Sequence, residues 1–206
     1  MNSLLFRKAK QVGGTLVIIS LGLMTGCNND DPVKQDVPEF ISSVELIFTP
    51  VGGGTTVSAI ATDPDGLGSS DITVNGAINL AKNVTYTLTF EILNNLAAPT
   101  DAEYNIGTEI KEEGDEHQFF FSWTNNVFSN PSGNGNIDNR SDALNYNDED
   151  ANGFPIGLAT SWTATDIASS GKFKVLLKHQ PDLKSSTSTS TDGETDIDLT
   201  FDITVE

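Results

Sequence analysis

The chain has 206 residues, with 11 Lys and Arg against 29 Asp and Glu for a formal net charge of −18. That length suits one domain preceded by a leader. So acidic a chain excludes nucleic acid as a partner, because a polyphosphate is held by Lys and Arg that displace its counterions. Its single cysteine excludes an internal disulfide and any Cys-rich zinc or iron–sulfur centre.

Residues 1–26 read as an export signal. Arg7, Lys8 and Lys10 form a positive start with no acid nearby, Val12 to Leu23 form a short apolar stretch, and Met24-Thr25-Gly26 leads to Cys27. The apolar run is shorter than the ~20 residues of a spanning helix, and Gly13 and Gly14 break it. The pattern resembles a lipoprotein signal peptide, in which a small residue precedes a cysteine that is then acylated; Met24 stands where that motif usually has Leu. Cys27 is therefore the expected lipidation site, since several acyl chains on one residue give a stable anchor where a single chain binds marginally. A plain secretory signal with a chance cysteine is the alternative.

The next residues, Asn28-Asn29-Asp30-Asp31-Pro32, resemble the acidic signal that carries Bacteroidota lipoproteins to the outer face of the outer membrane. The alternative is an ordinary polar tether on a protein of the periplasmic face. Residues 27–38, with Pro32 and Pro38, make the acylated cysteine and its tether. Residues 39–206 are the ectodomain, and without the leader 8 cations face 29 acids, a charge of −21.

Period-two alternation recurs along residues 39–206 and predicts half-buried strands. In chain order they fall at 41–49, 55–61, 71–79 and 84–92, where Val84, Tyr86, Leu88, Phe90 and Ile92 alternate with Thr85, Thr87, Thr89 and Glu91. A short helix at most is expected over 103–113, where Ile106 and Ile110 lie one turn apart but Gly107 interrupts. Strands follow at 117–123 and 157–164, with a further candidate at 142–147. Phe173, Val175, Leu177 and His179 then share one face, as do Ile197, Leu199, Phe201, Ile203 and Val205. Gly52-Gly53-Gly54, Asp65-Gly66, Asn75-Gly76 and Asn152-Gly153 punctuate these runs. The Asn/Gly/Ser stretch 129–141 and the Ser/Thr run 185–191 are expected to be mobile surface. Many short strands with one polar face predict an all-β fold, an antiparallel β-sandwich of immunoglobulin-like or similar type. Ten of the eleven Phe (all but Phe6), three Tyr and two Trp lie in the ectodomain and supply the bulk of its core.

Several segments resemble a family of Bacteroidota (Flavobacteria-type) surface lipoproteins. They are Asp63-Pro64-Asp65-Gly66, the run from Glu112 to Phe121, the run from Asp148 to Gly157, Lys178-His179-Gln180-Pro181 and the closing strand from Gly193. The resemblance spans most of the ectodomain and implies an exported, lipid-anchored protein, without implying an activity. Its members often carry the label "type 1 periplasmic binding fold". That fold has two doubly wound α/β lobes with many helices, whereas this ectodomain is short and almost without helical periodicity.

Candidate sites are few. Asp148-x-Asp150-x-Asn152-Gly153 alternates oxygen side chains before a glycine, as in a calcium loop, though the twelfth position is Ala159 rather than Glu. Asp63, Asp65 and Asp71 flank a second glycine-permitted loop of similar character. Calcium is thus one expectation for both loops; solvated acidic turns, which the same residues favour, are the other. His117 is in register with Phe119, Phe121 and Trp123, and His179 with Val175 and Leu177. If their strands are antiparallel neighbours, both imidazoles share one edge with Asp115 and Glu116 nearby. Two His and a carboxylate suit zinc or copper, and two His suit haem. The haem-capturing lipoproteins of Bacteroidota are likewise β-rich with two histidine ligands, but their sequence signature is absent here. The competing expectation is that each His caps a strand end, hydrogen-bonded and half buried.

The acid run Glu109, Glu112, Glu113, Asp115 and Glu116 reads as a solvated face. Trp123 and Trp162 would make a sugar-stacking platform if exposed, although their strand positions point to the core. No nucleophile elbow, phosphate-binding Gly-Lys loop or His-Glu-x-x-His occurs. The expected function is a non-catalytic surface lipoprotein binding an extracellular ligand or protein partner, with calcium as a possible stabiliser. Metal or haem acquisition through His117 and His179, and carbohydrate binding, are the alternatives.

Overall fold

The computed structural model describes residues 40–63 and 72–206. Cys27, the leader, the tether, Asp65 and Asp71 lie outside the described residues. Among the described residues ten strands form two sheets that pack face to face, the expected all-β sandwich.

The first sheet contains β1 (Ser43–Pro50), β2 (Val57–Thr62), β3 (Thr73–Asn75), β5 (Thr85–Leu93), β7 (Phe128–Asn130) and β8 (Ala159–Ala164), in the order β3-β2-β1-β5-β8-β7. The second contains β4 (Ile78–Leu80), β6 (His117–Trp123), β9 (Ser169–His179) and β10 (Glu194–Val205), in the order β4-β10-β9-β6. Every pairing is antiparallel except β4 with β10, which runs parallel.

Alternation places the core as the sequence pattern requires. Tyr86, Leu88 and Ile92 of β5 face Phe173, Val175 and Leu177 of β9, and all six are buried. Phe48, Phe121, Phe128, Trp123, Trp162 and Phe173 interlock edge to face at the centre, with Trp162 and Phe173 5.1 Å apart at 89°. Such packing adds to the hydrophobic gain of burying these rings. The polar face of the second sheet is held by cross-strand ion pairs, Lys172–Asp202 and Lys174–Asp198.

Two expectations need correction. The segment 71–79 breaks at Gly76, whose φ of +97° suits glycine, and its halves β3 and β4 enter different sheets. Residues 142–147 form no strand; they make a single bridge, Tyr146 to Thr160. The short helix falls inside its expected span, at Ile106–Glu112, capped by the Asn105 side chain, which accepts from the Thr108 N–H at 3.1 Å. The two polar loops lie largely at the surface, as expected, but are bonded to the fold, with Asn136 and Ser188 buried and Ser190 donating to the Ile137 carbonyl across from one loop to the other.

Candidate metal centre

β6 and β9 are antiparallel neighbours, and their register sets His117 directly opposite His179. Both imidazoles lie on the core-facing side, at the end of the sandwich where the apolar stripe runs out. The rings stack at 4.6 Å between centroids and 3° between planes, with exposures of 0% and 6%. Three acids and one carbonyl surround them. His179 Nε2 lies 3.3 Å from Glu116 Oε2. His117 Nδ1 lies 3.2 Å from the Glu113 carbonyl, and its Nε2 is 3.8 Å from Asp196 Oδ2.

Each neighbour has a local cause. The last turn of α1 (Ile106–Glu112) ends at Glu113, so its carbonyl and carboxylate sit above the first residue of β6. Glu116 precedes β6 and is fixed through its carbonyl, which accepts the Gln180 N–H at 2.6 Å. Asp196 lies at an irregularity between Thr195 and Ile197, where the β10 register against β9 shifts by one residue. A bulge of this kind re-aims a side chain, and the Asp196 carboxylate is 3% exposed against His117. Gly193 closes the site's edge with φ +73°; a Cβ there would lie 2.0 Å from the His179 carbonyl oxygen.

One nitrogen from each imidazole and a Glu113 carboxylate oxygen all lie within 4.8 Å of one another. Two nitrogens sharing one tetrahedral ion sit about 3.3 Å apart, given metal–nitrogen bonds of about 2 Å, so ligation needs a side-chain adjustment of at most about 1.5 Å. The donor set fits a borderline divalent ion such as zinc, copper or nickel, and contains no thiolate. Glu116 and Asp196, each at a ring nitrogen, have the chemistry of outer partners that orient ligating imidazoles. For haem the fit is poor, because parallel rings 4.6 Å apart leave no space for a macrocycle between them.

The other candidate residues fall elsewhere. Asp115 is exposed and faces the Asp148–Lys184 side instead. Asp148 accepts the Gly157 and Leu158 N–H groups, both at 2.9 Å. Asp150 Oδ1 accepts those of Asn152 and Phe154, and its Oδ2 meets Lys184 Nζ at 3.0 Å in a buried ion pair. Burial alone would raise the Asp150 carboxyl. The Phe154 N–H, the Lys184 ammonium and the Asn152 N–H together outweigh it and hold the group below its ordinary value. The cation of this loop is thus an ammonium. Asn152 and Glu149 are exposed, and the segment is a turn bridged from Glu149 to Pro155. In the second proposed loop only Asp63 is described; its N–H donates to the Ser42 carbonyl at 2.8 Å. Trp123 and Trp162, 3% and 0% exposed, are core residues and offer no face to a sugar.

The histidines and Glu116 are visible in the sequence pattern, whereas Asp196 and the role of Glu113 are not. Asp196 leaves one trace there: it is an acid where the alternating pattern of β10 begins, beside Ile197.

Fold and site together define an all-β sandwich with a buried histidine–carboxylate cluster at one end. Comparison with protein-family models, curated protein sequences and solved structures gives no match.

Proposed function

We propose that this chain is a non-catalytic binding protein anchored at the outer membrane and facing the cell exterior, whose ectodomain takes a divalent transition-metal ion at His117, His179 and Glu113. The observation that supports this reading is the stacked pair His117–His179, opposed in register and flanked by acids on three sides. The acidic surround of the two imidazoles favours a cation there. Glu113 and Glu116 are the members of the cluster that reach solvent, and an ion would pass them.

Zinc titrated into the purified full chain tests the reading. We expect one ion per chain and, at zinc a hundredfold above the Kd, a melting temperature higher by roughly 5–10 °C. His117→Asn and His179→Gln should each remove both signals while leaving the β-sheet spectrum intact. A chain that shows no heat and no thermal shift with zinc, copper or nickel at millimolar concentration would overturn it.

A further inference from the structure

The outer face of the second sheet carries a cleft that is separate from the histidine cluster. Along β6 and β9 that face is not solvated as an ordinary sandwich face would be. Gln118, Phe120, Leu176 and Lys178 point outward from the core yet are all buried. A space of about 240 Å³ remains over this face, bordered by Gln118, Asn136, Arg140, Asp142, Tyr146 and Ser188, among others.

Its walls are fixed in advance. The Tyr146 hydroxyl donates to the Phe119 carbonyl at 2.7 Å and accepts from Asn136 Nδ2 at 2.9 Å. Asn136 Oδ1 in turn accepts the Phe121 N–H at 3.0 Å. Burial pushes the Tyr146 phenol up to about 12, so it stays a neutral donor. Arg140 donates to the Ser186 carbonyl, tying one loop to the other across the opening. Ser188 is pinned by the Ser185 N–H, which donates to its Oγ at 2.8 Å.

The chemistry of the border selects its guest. Arg140 only donates, Asp142 only accepts, and Gln118 and Asn136 do both. An anion would meet Asp142 inside a strongly acidic domain, and a cation would meet Arg140. Adjacent hydroxyls, each able to donate and accept, match this mixture of donors and acceptors in the capacity their existing bonds leave. The volume lies below the usual range of about 300–1,000 Å³ for drug-sized ligands and so suits one small ring. We propose that this cleft binds a neutral sugar unit, whose neighbouring hydroxyls accept from Arg140, donate to Asp142 and exchange hydrogen bonds with Asn136 and Gln118. The site differs in place and residues from a tryptophan platform, and it does not depend on the metal.

Saturation-transfer NMR and calorimetry test the proposal on the full chain in a sugar-free detergent, with glucose, galactose, mannose and N-acetylglucosamine each at tens of millimolar. At least one sugar should receive transfer at its ring protons. Arg140→Gln and Asp142→Asn should each weaken it by roughly tenfold or more, the scale expected for hydrogen bonds to charged groups. Because Arg140 also ties the loops, a second variant is decisive. Ser186→Trp, at an exposed position beside the opening, should abolish binding while melting temperature and zinc uptake stay unchanged. The proposal falls if none of the four sugars binds, if Ser186→Trp binds as the parent does, or if free glycine or glutamate binds where the sugars do not.

Discussion

Asp150 and Lys184 form a buried ion pair within the loop whose pattern of oxygen side chains suggested calcium. A carboxylate 1% exposed and an ammonium 0% exposed are tolerable only because each is also hydrogen-bonded, Asp150 to two backbone N–H groups and Lys184 to the Gly114 carbonyl at 2.5 Å. A Cβ at Gly114 would come 2.6 Å from Ile156 Cδ1, so any larger residue there would have to displace that side chain. Lys184→Met removes the partner and leaves a buried negative charge, so it should destabilise the fold by about 3–5 kcal/mol in urea denaturation. The pH dependence has a definite sign. The folded carboxyl lies below its ordinary value of 3.8, so the stability it contributes is fully present above that pH. It is lost as pH falls through the lower, folded value. The stability gap between the parent chain and Asp150→Asn should therefore be constant at neutral pH and shrink in acid. A gap that widens as pH drops below 3.8 would contradict the assignment.

At the scale of elements, the strands were legible wherever alternation ran unbroken. β5, β6, β9 and β10 all lie where period-two patterning puts them, because burying one face of a strand demands that pattern. The site was legible to the same depth. The register of Phe119 with Leu177 follows from matching apolar faces, and it carries His117 onto His179. Asp196 was not legible, since a one-residue irregularity reverses the direction that strict alternation assigns. Nor were the polar loops, whose order comes from specific hydrogen bonds that composition does not encode. Gln180 is the clearest case. Fully buried, it donates from Nε2 to the Thr189 and Asp192 carbonyls, each at 3.1 Å, and clamps the strap that follows β9. Asp192 adds a turn by accepting the Thr189 N–H at 2.8 Å. Gln180→Ala should leave both carbonyls without that donor and raise amide exchange across 183–192, while exchange in β1 and β5 stays as in the parent. Uniform exchange changes across both sheets would mean the residue supports the whole core rather than the strap.

For the molecule as a whole, the charge balance bears on the proposed membrane anchor. Outside the leader 8 cations face 29 acids, and several of those cations are already committed. Lys172 and Lys174 pair with Asp202 and Asp198, and Lys184 with Asp150; Lys178 is buried, donating to Thr195 Oγ1. Anionic lipid attracts clusters of Lys and Arg near its surface at about 1 kcal/mol per residue; a domain of this charge gains nothing there and is repelled. On the proposed reading, attachment would therefore rest on acyl chains at Cys27 alone. Cys27→Ala should abolish incorporation of labelled palmitate and move the protein entirely into the aqueous phase of a detergent partition, at low salt as at high. The intact protein should remain in the detergent phase, and protease added to whole cells should degrade it if it faces the exterior. Retention of Cys27→Ala on membranes, released by salt, would reveal an electrostatic contact that this charge distribution forbids, and would remove the case for a lipid anchor.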